Sequence, residues 1–417
     1  MHPLLALVLA FQSAPAGDTW PEFRGPGGTG HAAATAQPPT AFGESQNLKW
    51  KVPFAGKAWS SPVVAGNQVW YTTATELGTD YFAVCLDRET GREIHNLKLF
   101  SQAAPTDIRQ YNTYASPTPC LSDDGQKIFA HFGTHGTACV ETRSGQTLWE
   151  RKNINVDHYR GPASSPILFD GRLYLIFDGF DRQFVVCLNA RNGETLWEKN
   201  RDLPYRNSGN EKRDNDFKKG FATASVLTID GKPQLVAPAA MGTIAYDPAT
   251  GRELWKVITD GMNQASRPVV SHGQIYITAG HSSTLFAIRA SNLSGNVTAT
   301  HVAYTKPKIA PTRPSPIVVG DDLYFVNDTG ILVCLDARTG KEKWKESLGE
   351  KFSSSPIFAD GRLILGSEAG TVFVVKPGDS YELLFRTRLD APIRATPAAV
   401  GRDLFIRTYT HLYRFSH

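Results

Sequence analysis

Four arginines, Arg160, Arg267, Arg313 and Arg394, stand just before or within proline-containing segments that open apolar runs. A guanidinium is a planar fork suited to carboxylates, phosphates and other oxygen acceptors. Asp178, Asp328 and Glu368, with Arg182 and His281, fall in short turns elsewhere along the chain. This set has two readings. In one, the side chains ring a common opening and bind an anionic or polar ligand; in the other, cations and carboxylates pair with one another and line a wall. The candidate ligand-binding residues are therefore Arg160, Asp178, Arg182, His281, Arg313, Asp328, Glu368 and Arg394.

Other chemistry leaves little trace. His131, His135, His158, His281 and His411 form no local ligand spacing, so structural or solvated roles are expected and no metal site is assigned. The chain carries no Gly-x-Ser-x-Gly elbow, HExxH, GxxxxGK[ST] or local carboxylate pair. No catalytic residue is assigned, although catalysis by groups gathered from distant segments would leave no linear motif. The net charge of +4 is small for 417 residues, and no basic stripe interleaved with aromatics suggests nucleic acid.

The elements that must hold these residues repeat about eight times. A small residue and proline lead into an apolar strand, as at Ser61-Pro62, Ser116-Pro117, Ser165-Pro166, Ala224-Ser225, Arg267-Pro268, Ser315-Pro316, Ser355-Pro356 and Thr396-Pro397. Proline suits a strand opening, where its missing N–H harms no ladder. Asp-Gly turns follow at Asp170, Asp230 and Asp360, then a second strand, and then a turn of the type Asp-x-x-Thr-Gly-x-x-x-Trp, as in YDPATGRELW from Tyr246 to Trp255. Where that signature decays, Ile94, Tyr304 and Phe385 take the place of the tryptophan. Repeats of this length built of strands predict an all-β, eight-bladed β-propeller of four-stranded antiparallel blades.

The last repeat has only three strands before the chain stops at His417. The missing fourth is expected at Leu48–Val52, whose Trp50 sits in the same local setting as Trp197 and Trp255. Pairing the two ends then closes the ring without an open edge. Cys85, Cys139, Cys187 and Cys334 share one position in different repeats, too far apart for disulfides, so they and Cys120 are expected as buried thiols.

Residues 1–16 read as a signal peptide, with an apolar core from Leu4 to Phe11 and cleavage after Ala16. Residues 17–46 are an N-terminal extension, and 47–417 the propeller. A periplasmic or secreted monomer without a transmembrane segment is expected after cleavage.

The repeated turn resembles the pyrroloquinoline quinone (PQQ) repeat of quinoprotein dehydrogenases and of BamB-type propellers. The opening Trp20-Pro-Glu-Phe-Arg-Gly-Pro-Gly-Gly-Thr-Gly30 is similar to the start of a group of exported bacterial PQQ-like propellers. In quinoprotein dehydrogenases the resemblance implies a quinone stacked between a tryptophan and a disulfide of adjacent cysteines, beside calcium. This chain has no Cys-Cys pair and lacks the long insertions of those enzymes. BamB is a lipoprotein, and no lipidation cysteine is present here. The expected function is therefore a non-catalytic scaffold, without cofactor, binding a protein, peptide or envelope polymer. The alternative is a calcium- and PQQ-dependent oxidoreductase acting on an alcohol or sugar. Binding is expected on the face carrying the D-to-A and B-to-C loops. There the long connections at 101–114 and 200–221 are either binding elements or solvated flaps.

Overall fold

In this computed structural model, residues 19–417 are described, apart from 105–107, 109, 110, 159 and 207. The predicted signal peptide lies outside the described residues. Eight four-stranded antiparallel blades, the fourth extended by Gly295–Asn296 running parallel to its outer strand, form the ring of an eight-bladed propeller. The innermost A strands are Val63–Ala65, Cys120–Leu121, Ile167–Phe169, Ser225–Ile229, Val269–Ser271, Ile317–Val319, Ile357–Ala359 and Ala398–Val400, for blades 1 to 8 in order. The outermost D strands are Glu93–Ser101, Thr147–Arg151, Thr195–Asn200, Glu253–Ile258, Val302–Lys306, Glu342–Ser347, Glu382–Arg388 and, for blade 8, Leu48–Pro53. That last strand pairs antiparallel with His411–Ser416, with Lys51 opposite Tyr413 and Pro53 opposite His411, so the chain's two ends close the ring as the sequence predicts.

The repeated turn is structural. Asp247 Oδ1 accepts from the Thr250 N–H at 2.9 Å and from its hydroxyl at 3.0 Å; Asp87 with Thr90 and Asp336 with Thr339 repeat the arrangement. Gly251 has φ 69°, and a Cβ there would lie 2.6 Å from the Trp197 ring of the preceding blade. Glycine therefore both permits the left-handed turn and admits the neighbouring indole.

The large D-strand residue also bonds across the blade boundary. Trp50, Trp149, Trp197 and Trp344 donate their indole N–H to the carbonyls of Arg88, Ala190, Pro248 and Gly378, in the C-to-D turn of the next blade. The Tyr304 hydroxyl donates likewise to the Ala337 carbonyl. In blade 1 the equivalent residue is His95, which pairs opposite Cys85 and reaches the Thr142 carbonyl at 3.2 Å, so the assignment to Ile94 is corrected by one position. Ile94 points outward and is exposed. All five cysteines are buried free thiols between these aromatic layers.

The blade starts are tied together by a belt of hydroxyls. The backbone N–H of Ser61 donates to Thr118 Oγ1, Thr118 to Ser165 Oγ, and Ser165 to Thr223 Oγ1. After a break the chain of bonds resumes from Arg267 to Ser315, Ser315 to Ser355, Ser355 to Thr396, and Thr396 back to Ser61, all at 2.9 to 3.0 Å. Blade 5 places Arg267 where the others have a hydroxyl. This register corrects two predicted starts: blade 2 opens at Thr118-Pro119 rather than Ser116-Pro117, and blade 4 at Thr223-Ala224 rather than Ala224-Ser225. In every blade but the fifth this belt position is a hydroxyl acceptor for the neighbouring blade, whereas a proline displaced from it meets no such demand.

The N-terminal segment fills the inner channel. Trp20 pairs with Val64 of blade 1, the Pro21 carbonyl accepts from Leu121 of blade 2, and the Gly30 carbonyl accepts from Phe358 of blade 7. The Gln37 N–H donates to the Gly401 carbonyl at the A-to-B turn of blade 8, so the segment enters and leaves at the end of the channel opposite the D-to-A loops.

Candidate functional site

The opposite mouth is framed by D-to-A and B-to-C loops, and it carries an ion ladder. Arg313 Nε lies 2.7 Å from Asp328 Oδ1, its NH1 lies 3.1 Å from Glu368 Oε1, and Arg394 NH2 lies 3.0 Å from Glu368 Oε2. Short loops anchored on rigid strands bring three blades to one line. Asp328 is fixed further by the Thr312 N–H at 2.6 Å, and Glu368 by the Ser353 hydroxyl. Arg394 also covers an aromatic platform: its guanidinium carbon is 4.3 Å from the Trp59 ring centroid and 5.7 Å from that of Tyr409, whose rings stack at 6.4 Å.

Arg160 lies across the mouth and pairs with Asp216 at 2.7 Å. Asp216 ends a short helix, Glu211–Asp216, within the 200–221 connection. His281 is exposed between the two groups; partial burial, then Arg160, holds its imidazole below the usual range, against the opposing pull of Asp328 and Asp216. Six of the eight candidates thus share this face, five of them as paired charges with His281 between them. Arg182 does not join them: it turns outward to Glu198 and Asn200 of its own blade's D strand and covers Phe184. Arg267 leaves the mouth as well, because its side chain runs into the N-terminal segment to meet Glu22 and the Phe23 carbonyl.

Asp178 is 2 % exposed and sits beneath the mouth. Arg201 Nε approaches its Oδ1 at 2.9 Å, and the fully buried Lys219 comes from above. The Lys219 amine donates to His158 Nδ1 at 2.6 Å. Burial, against the pull of Asp178 and Asp157, brings Lys219 down to about 7. Burial raises Asp178, against Arg201 and Lys219, and depresses His158, which Lys219 lowers further. A cavity of about 10 Å³ lies among His131, His158, Ser164, Asp178, Gly220 and Phe221, with room for one water. The 200–221 connection is therefore neither a free flap nor a bare binding loop: its end is pinned by Lys219 and by backbone bonds from Asn263 to Lys219 and from Phe221 to Gln264.

Sequence reasoning missed Lys219, Trp59 and Tyr409. Lys219 ends a charged run that reads as solvated, while Trp59, directly before Ser60-Ser61-Pro62, carried the only local signal.

The donor set does not fit a quinone-calcium centre. Asp328 and Glu368 are already saturated by Arg313 and Arg394, and among the described residues no group of three histidine, cysteine or acidic side chains could hold a metal ion. The buried cysteines are dispersed over several blades, so none supplies the adjacent pair that the dehydrogenase stacking requires.

A family model described as outer membrane protein assembly factor BamB matches residues 33–201, 181–352, 242–380 and 330–416. The chain belongs to this family of PQQ-like propellers. A curated family relative, BamB of Legionella pneumophila (strain Paris), is 23% identical over 175 residues, which cover 39% of this chain and 43% of the relative. The chain thus spans less than half the length of that relative. Among solved structures, BamB from Moraxella catarrhalis superposes with a TM-score of 0.64 at 12% identity, over 88% of this chain and 99% of that one. Quinohemoprotein alcohol dehydrogenase from Comamonas testosteroni gives 0.65 at 10% identity, over 96% and 80%. At such identities these structures share the family's fold and nothing more is carried over.

Proposed function

We propose that this chain is an exported, non-catalytic scaffold whose mouth face holds a protein, peptide or envelope polymer. The observation that carries the reading is the asymmetry of the channel. One end is filled by residues 20–37, while the other presents Arg313, Asp328, Glu368 and Arg394 beside the Trp59–Tyr409 platform. Arg160 and His281 complete the rim. Two exposed apolar side chains stand on the same face: Leu77 in the B-to-C loop of blade 1 and Tyr111 in the connection that follows its D strand. Paired charges around aromatic and aliphatic contacts suit a polar chain that exchanges ion pairs on binding.

Membership of a family described by an outer-membrane assembly factor supports a protein partner and an envelope location. Among the described residues no helix is long and apolar enough to cross a membrane. Among the described residues the mouth carboxylates Asp328 and Glu368 are engaged by Arg313 and Arg394, which supports the scaffold over the calcium-dependent oxidoreductase.

The test is site-specific photo-cross-linking in intact cells, with the reactive residue at position 77 or 409 on the mouth face, or at 191 on the opposite turns. Discrete adducts from the mouth positions alone are expected; adducts from 191 alone, or equally from all three, overturn the assignment. Calorimetry with PQQ and calcium should give no saturable heat, and calcium-dependent saturation would move the reading to the oxidoreductase.

A further inference from the structure

Arg24 is a fully buried cation without a carboxylate partner among the described residues. Its NH2 donates to the Pro316 carbonyl at 2.8 Å and to that of Thr29 at 3.3 Å, while Nε and NH1 meet no acceptor. The charge that acts on it most is another cation, Arg267; burial first, then Arg267, brings Arg24 down to about 9, still protonated at neutral pH. Glu22 is engaged by Arg267 at 3.0 Å, and burial raises it against the pull of Arg267, with Asp123 adding in the same direction as burial. Two guanidinia and at most one carboxylate leave this water-excluded place with a net positive charge. An isolated buried ion of that kind is strongly disfavoured unless a counter-charge is supplied.

The surrounding sequence is shaped to keep both cations there. A Cβ on Gly30 would lie 2.7 Å from Arg24 NH2, and one on Gly28 would lie 1.9 Å from Arg267 Cζ. Gly28 and Gly30 thus form a backbone surface on which the guanidinia rest. Arg267, the one break in the hydroxyl belt, joins blade 4 through Nε to Ser225 Oγ at 3.0 Å and gives NH1 and NH2 to the Phe23 carbonyl and Glu22, so its charge stands beside Arg24 while its own donors are engaged.

We propose that Arg24, with the charge of Arg267 beside it, forms a site for one small anion, a halide or a carboxylate, held inside the channel by either the Nε–H or the NH1 group of Arg24. The Nε–H and NH1 groups lie on different edges of the guanidinium, so the anion takes a charge-assisted contact from one of them, which either a halide or a carboxylate oxygen can accept. The site is separate from the mouth, and its test does not depend on the mouth binding anything.

Crystals of the full chain soaked in sodium bromide should show an anomalous peak within hydrogen-bonding distance of Arg24 Nε or NH1. Density for water alone at those atoms overturns the site. In solution, the melting temperature of the wild type should rise by several degrees from millimolar to half-molar bromide, while R24M responds markedly less. Equal slopes for the two proteins would also sink the proposal. Formate in place of bromide tells a carboxylate site from a halide site. Should R24M fail to fold, the wild-type soak decides.

Discussion

The Trp50 indole N–H donates to the Arg88 carbonyl at 2.9 Å, joining the strand that completes blade 8 to the C-to-D turn of blade 1. The ring is therefore closed twice at one seam, by strand pairing with His411–Ser416 and by this bond. Trp50 is 8 % exposed and packs on Phe405. Replacing it with alanine should cost about 3–5 kcal/mol, read from urea denaturation. Deleting residues 50–52 should leave an unfolded or oligomeric chain on gel filtration. An unchanged melting curve for the deletion refutes the seam.

The hydroxyl belt predicts a different kind of loss. Ser355 Oγ is the acceptor for the buried Ser315 N–H at 2.9 Å. Ser355→Ala strands that donor and should cost about 1–3 kcal/mol, while Ser355→Thr, which keeps the hydroxyl, should lose much less. If alanine and threonine cost the same, side-chain volume rather than the bond governs the site.

At the mouth, Glu368 is shared by Arg313 and Arg394. Glu368→Gln should weaken both contacts and reduce cross-linking from position 409. A double-mutant cycle between Glu368→Gln and Arg394→Gln should give a coupling of about 1 kcal/mol or more. Additive effects on stability and on cross-linking would show the ladder to be no more than a solvated rim.

Acid should loosen blades 2 and 3 first. Burial holds His131 at about 3 and His135 at about 4, below an ordinary value of 6.5. Both folded values are depressed, so the unfolded chain takes up protons first, and their contribution is present above pH 6.5 and lost as pH falls. The loss reaches at most roughly 3 kcal/mol per histidine by pH 4. Denaturation midpoints should fall across that window in the wild type and less steeply in His131→Asn, which keeps a partner for Thr137. A parallel decline in both proteins assigns the acid loss to other groups.

Blade count and closure are legible in the sequence because their signals are local: a proline, an Asp-Gly turn, an Asp-x-x-Thr-Gly loop. Errors arise where the deciding partner lies on another blade. Ser116-Pro117-Thr118-Pro119 offers two equivalent starts, and only Ser165 and Ser61 in neighbouring blades select the second. Hydrophobicity selects Ile94, yet the position asks for a ring at the blade boundary, which His95 provides while also reaching the Thr142 carbonyl of the next blade. The plug has no strand period to betray it: its role depends on Val64, Leu121, Arg267 and Phe358, far away in sequence. Loop position alone was enough to gather Arg313, Asp328, Glu368 and Arg394. It could not show that Arg182 turns to the outer strand or that Lys219 leaves a charged run for the interior.

Lys219 gives the loop above Asp178 a pH dependence of the same sign as that of the histidines, but in an alkaline window. Its folded value is about 7 against an ordinary 10.5, so between those limits the unfolded loop binds the extra proton and local stability rises with pH. Of the groups facing the amine, His158 is neutral in this window because burial, then Lys219, depresses it well below its ordinary value, while burial raises Asp178 against the pull of Arg201 and Lys219. Asp178, Asp157 and Asp181 draw the amine towards its charged form, and Arg160 opposes them. The protection of the Phe221 amide, bonded to the Gln264 carbonyl at 2.9 Å, should therefore grow by up to about tenfold per pH unit above pH 7, after correction for intrinsic exchange. Lys219→Met should abolish that slope while leaving the acid response of His131 and His135 in place. Flat protection in the wild type would mean that the amine stays charged where it is buried, with Asp178 as its working counter-ion.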